Sequence, residues 1–100
     1  LEKYVILRSI IEKIQSNEKI KIAVLFGSYA KSNIKQDSDI DVYIETKDRK
    51  LKQELEKTNS KLSIKVGEFD KDNLLIKEII KNHIILKGVE EYYGKVKFFS

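Results

Sequence analysis

Between residues 39 and 45 polar and apolar side chains alternate: Asp39, Asp41 and Tyr43 take one parity, Ile40, Val42 and Ile44 the other. A period of two marks a β-strand, because successive side chains leave opposite faces of the pleat. The apolar parity buries one face, which fixes the strand and holds the acids on the other. The two carboxylates then share a face with their Cα atoms roughly 6.5 Å apart, near enough to share one or two hard cations. Uncompensated acids at that spacing repel each other unless a cation joins them. Magnesium takes oxygen ligands, usually one or two carboxylates together with substrate phosphates. Asp39-x-Asp41 alone reads more readily as the solvated head of a strand, with Asp37-Ser38 supplying ordinary turn chemistry.

A second feature narrows the choice. The mostly apolar run Ile20 to Phe26 ends in Gly27-Ser28, and ten residues separate Ser28 from Asp39. A glycine at that place lets backbone pass close to a triphosphate with no Cβ in the way. Ser28 offers a hydroxyl and an N–H where a helix start would favour phosphate. Ser28 to Ser32 is expected to begin a short helix, and 33–38 to be polar connecting chain. Lys31 and Lys35 lie between the two halves of the motif, where they can touch phosphate or stand as surface lysines.

The rest of the chain reads as alternating helices and strands. Val5, Ile6, Ile10, Ile11 and Ile14 form a helical stripe over 2–16, and 22–26 is a continuous apolar strand. A helix is expected over 49–59 with Leu51 and Leu55 inward, then a strand over 62–69 with Leu62, Ile64 and Val66 alternating. Asp72 is placed to cap a helix over 73–82, whose Leu75, Ile76, Ile79 and Ile80 face the core. Residues 83–86 suggest a further strand, and 89–98 a terminal helix or tail. The expected fold is α/β (α+β): a small mixed sheet covered by helices on one side.

One hundred residues make a single domain, 1–100, with 41% apolar and 36% charged residues. Leu1 stands first and methionine is absent, so the natural start is expected upstream. Cysteine is absent too, which excludes disulfides and thiolate metal sites. No stretch approaches the roughly 20 apolar residues of a membrane span, and a cytoplasmic location is expected. The net charge of +4 admits a nucleic-acid partner. The basic residues, however, interleave with acids, as in Lys50, Lys52, Glu54, Glu56 and Lys57, the pattern of a solvated helix face. Nucleic acid is therefore not the expected partner.

Gly27, Ser28, Asp39 and Asp41 together, with Phe26, Ala30 and Ser38-Asp39-Ile40-Asp41-Val42 around them, resemble the signature of the DNA polymerase beta-like nucleotidyltransferase superfamily. The resemblance is to its minimal nucleotidyltransferase (MNT) branch, and 76–88 is similar to the end of such domains. It implies that Gly27 and Ser28, with Lys31 nearby, hold the phosphates of a nucleoside triphosphate, ATP above all. It implies too that Asp39 and Asp41 are the catalytic acids and bind two Mg²⁺ ions. The implied reaction transfers a nucleoside monophosphate to a hydroxyl. A small helical HEPN protein is the implied partner, in a toxin–antitoxin pair; a homo-oligomer stays open.

The chain departs from that pattern in two places. Ser32 stands where such loops often carry a second glycine. The third carboxylate, usually on the next strand, has no plain counterpart: Ser63, Lys65 and Gly67 are the site-facing positions, with Lys65 at the acid's place and Glu68 or Asp70 as acids able to reach in from the strand end. An inactive binding or antitoxin module is thus the alternative reading. His83, the sole histidine, is expected to be structural. Tyr29 and Tyr43 either border a base pocket or pack the core, and Tyr92 and Tyr93 pack the last segment or a partner.

Overall fold

A computed structural model describes residues 2–31, 38–69 and 73–96. In chain order the elements are α1 (Glu2–Gln15), β1 (Ile20–Phe26), β2 (Ile40–Thr46), α2 (Leu51–Glu56), β3 (Leu62–Val66), α3 (Leu74–Lys81), β4 (Ile84–Lys87) and α4 (Val89–Val96). The strands form one sheet in the order β3-β2-β1-β4. β1 runs antiparallel to both β2 and β4, while β2 and β3 are parallel. Parallel neighbours cannot be joined by a tight turn, and α2 lies in the crossover between them. The mixed sheet and its helical cover match the expected fold class.

Helices cover both faces, not one. On the first face, Ile10 and Ile14 of α1 and Leu51 and Leu55 of α2 pack with Ala23, Leu25, Ile40, Val42, Ile44 and Ile64. On the second, Ile76 and Ile79 of α3 and Tyr92 of α4 pack with Ile22, Val24, Tyr43 and Phe69. The reason lies in the opposite parity of β1 and β2. Ile22, Val24 and Tyr43 are too apolar to face water, and each buried side chain of this size contributes about 1.5–3 kcal/mol. Tyr43 is therefore a core residue, its hydroxyl donating to the Glu68 carbonyl at 3.1 Å and its ring edge-on to Phe69 at 5.1 Å. Tyr29 is buried in the first cluster.

Several boundaries shift. Val5 and Ile6, expected in the core stripe, are exposed because α1 meets the sheet only from Leu7 onward. Val66 at the end of β3 is exposed as well. The second helix covers 51–56 rather than 49–59. Asn73 caps α3, accepting from the Leu75 N–H at 2.9 Å; Asp72, the expected cap, lies outside the described residues. His83 is structural: Nδ1 lies 3.0 Å from the Ile79 carbonyl and the ring packs on Tyr92 at 4.9 Å. Tyr92 is buried, whereas Tyr93 is exposed. Among the described residues no helix is long and apolar enough to cross a membrane.

Candidate active site

The antiparallel register of β1 and β2 sets Asp41 opposite Phe26. The chain then turns at Gly27, whose φ of +71° lies in the left-handed region that glycine enters without penalty. This turn brings Gly27 onto the Asp41 side chain. A Cβ added at residue 27 would overlap Asp41 Oδ2 and stand 3.2 Å from its Cγ. Glycine is required here twice over, by dihedral angle and by space.

The expected helix over 28–32 is, in its described part, a single turn. The Lys31 N–H donates to the Gly27 carbonyl at 3.1 Å, and Tyr29 anchors the turn in the core. Ser28 is half-buried beside Gly27, and Lys31 is exposed. Lys35 and Ser32 lie outside the described residues. One tight turn suffices to curl backbone N–H groups toward a common point, the geometry of anion-binding nests.

Asp39 precedes β2 and is exposed; Asp41, its second residue, is half-buried. Partial burial pushes the Asp41 carboxyl above the ordinary carboxylate range, and the Asp39 charge pushes it further, while Lys65 pulls it back. Such a pair has the chemistry of a divalent-cation site: two hard oxygen donors stand at the head of β2, one of them partly withdrawn from water and pressed by its neighbour's charge. Asp39 and Asp41 are the side chains that would meet a cation bound here, and Gly27 leaves room for the Asp41 carboxylate.

The next strand supplies no acid. In the parallel register Asp41 pairs with Ser63, and Tyr43 with Lys65. The position level with Asp41 is therefore Ser63, and Lys65 stands two residues further along the same face. Glu68, expected as an acid able to reach in, is corrected. It follows the end of β3, and Val66 is already level with Ile44, so Glu68 lies roughly 16 Å along the strands from Asp41. It lines instead an open cavity of about 440 Å³ with Thr46 and Lys95, at the other end of the sheet. Asp70 lies outside the described residues. Among the described residues no group of three or more His, Cys, Asp or Glu side chains could hold a metal. The parity of Ser63 was readable; its register, which depends on how the crossover closes, was not.

The family model for polymerase beta nucleotidyltransferases matches residues 8–91, which span the turn, the acid pair and all four strands. The chain belongs to the polymerase beta nucleotidyltransferase family. No curated protein matches the sequence closely enough to count as a relative. Solved structures share the nucleotidyltransferase fold at low identity. One is a toxin–antitoxin crystallised with AMP-PNP (17% identity, TM-score 0.61, 95% of this chain and 79% of that one). Another is a mutant of the toxin–antitoxin MntA-HpeT (14%, 0.62, 93% and 83%). A third is a tri-AMPylated Shewanella oneidensis HEPN toxin in complex with MNT antitoxin (16%, 0.51, 98% and 81%).

Proposed function

We propose that this nucleotidyltransferase moves AMP from ATP to a hydroxyl on a protein partner, with Asp39 and Asp41 as the protein ligands of Mg²⁺. The observation that carries the reading is the close approach of Gly27 to the Asp41 carboxylate. It sets the glycine turn and the Asp41 carboxylate side by side, so that one site offers backbone N–H groups to a phosphate and a carboxylate to a cation.

Gly27 lets the triphosphate lie against the backbone. The N–H groups of the turn and the Ser28 hydroxyl donate to its β- and γ-phosphates, and Lys31 adds charge from the end of the turn. Asp39 and Asp41 would hold the cations, two ions by resemblance, beside the α-phosphate. When bound, Mg²⁺ neutralises the transferring phosphoryl group and makes the acceptor oxygen a better nucleophile. The acceptor oxygen forms a bond to the α-phosphorus and the bond to the β-phosphate bridging oxygen breaks. Pyrophosphate leaves with that electron pair, and the hydroxyl proton passes to solvent.

The acceptor we propose is a HEPN-type partner in a toxin–antitoxin pair. The support is that the structural neighbours are toxin–antitoxin complexes, one holding AMP-PNP and one an AMPylated HEPN toxin. A second reading, an antitoxin module that binds but does not turn over, draws on Ser63 standing level with Asp41. Incubation with Mg²⁺ and α-labelled ATP, with and without the HEPN partner, tests both. Transfer that disappears in Asp39→Asn and Asp41→Asn supports the enzyme. Transfer surviving both substitutions overturns the metal assignment, and tight partner binding without transfer selects the module.

A further inference from the structure

On the face that carries Asp41, β3 presents Ser63 and then Lys65. Leu62 and Ile64, of the other parity, are buried in the opposite cluster, which fixes the face of Ser63 and Lys65. Lys65 is exposed on an edge strand, and its side chain makes no hydrogen bond or ion pair among the described residues. Its Cα is diagonal to that of Asp41 across one strand spacing, about 8 Å away, within reach of a four-carbon stem. Its charge is felt at the Asp41 carboxyl. A lysine beside the acid pair with no ion-pair partner among the described residues is placed to meet a triphosphate, which would carry more negative charge there than two carboxylates' cations cancel.

We propose that Lys65 binds the phosphates of the nucleotide, supplying from β3 positive charge beside a site whose level position, Ser63, carries no acid. The assignment rests on the nucleotidyltransferase reading above and adds to it a substrate-binding residue on the third strand. Lysine acts there as a point charge, tolerant of phosphate geometry. The phosphate contact is made by the ammonium alone, so the base and ribose are bound independently of it.

The test is the affinity for AMP-PNP with Mg²⁺, measured by calorimetry for the wild type, Lys65→Ala, Lys65→Arg and Lys47→Ala. Lys47 is an exposed lysine past the far end of β2 and controls for net charge. Loss of a charge-assisted phosphate contact should weaken binding about tenfold in Lys65→Ala, with Lys65→Arg close to wild type and Lys47→Ala unchanged. Equal affinity for wild type and Lys65→Ala overturns the assignment, and so does an equal loss in Lys47→Ala. A wild type that binds no AMP-PNP overturns the nucleotide reading itself and the Lys65 assignment with it.

Discussion

The Asp41 carboxylate occupies the space that a side chain on residue 27 would fill, with its Cγ 3.2 Å and its Cβ 3.4 Å from the place of a Cβ there. Two segments separated by a ten-residue interval thus define one site through a single contact. Replacing Gly27 by Ala should both strain a φ of +71° and displace the carboxylate. We expect a loss of about 1–3 kcal/mol in urea unfolding and transfer activity at or below the level of Asp41→Asn. An alanine variant as active as wild type would show that Asp41 is not held by this contact during catalysis.

The electrostatics of Asp41 predict an opposite pairing of stability and activity. Its carboxyl is raised from 3.8 chiefly by burial and then by Asp39. The folded protein therefore holds the Asp41 proton more tightly than the unfolded chain, and this contribution to stability falls as pH rises from about 3.8 through the raised value. At neutral pH without metal, Asp41→Asn should be more stable than wild type by about a few tenths of a kcal/mol, the screened scale of such charge effects. With Mg²⁺ tenfold above its Kd the wild type should gain about 1.4 kcal/mol, and the variant much less. Thermal melts from pH 4 to 8, with and without Mg²⁺, measure both; a wild type unresponsive to Mg²⁺ contradicts the metal assignment.

Ser63 offers a gain-of-function experiment. Because it is level with Asp41 on the adjacent parallel strand, Ser63→Asp adds a third carboxylate to the same face. Mn²⁺ binding, followed by electron paramagnetic resonance in the presence of AMP-PNP, should tighten about tenfold. Metal-free stability should fall through like-charge repulsion. If turnover is limited by the donor set, the transfer rate rises in parallel. Unchanged Mn²⁺ affinity would mean that Ser63 does not face the cation.

The acid pair and the glycine were legible because both are local: period-two alternation places Asp41 on a face, and a glycine after an apolar run marks a tight turn. The contact between them depends on the β1–β2 register, which residue types alone do not give. Likewise the parity of Ser63 and Lys65 could be read from Leu62 and Ile64, whereas which of them meets Asp41 depends on the crossover through α2. The second helical layer was signalled by the uninterrupted apolar run of β1, since a strand with both parities apolar is covered on both faces. Glu68 misled because distance along the sequence from the strand end carries no sign: in a parallel pair the end of β3 points away from the start of β2.

The far end of the sheet carries the last prediction. Glu45 is buried at 9% exposure; its Oε1 accepts from the Phe69 N–H at 3.4 Å and pairs with Lys95 of α4, while Oε2 is buried with no partner among the described residues. Lys95 thus neutralises a charge that the fold has already taken out of water, and ties α4 to the end of β2. Lys95→Ala should cost about 2–3 kcal/mol, below the range for fully buried pairs because the lysine is one-third exposed. Glu45→Gln should cost less, since the amide oxygen still accepts from Phe69 and no charge remains to be compensated. In the double variant the lysine's contribution disappears with its partner, so the two losses should fall short of additive by about 1 kcal/mol. Urea unfolding of the four proteins gives this coupling directly. A value near zero would leave the packing of Tyr92 against Phe69, at 5.5 Å between ring centres, as what holds α4 in place.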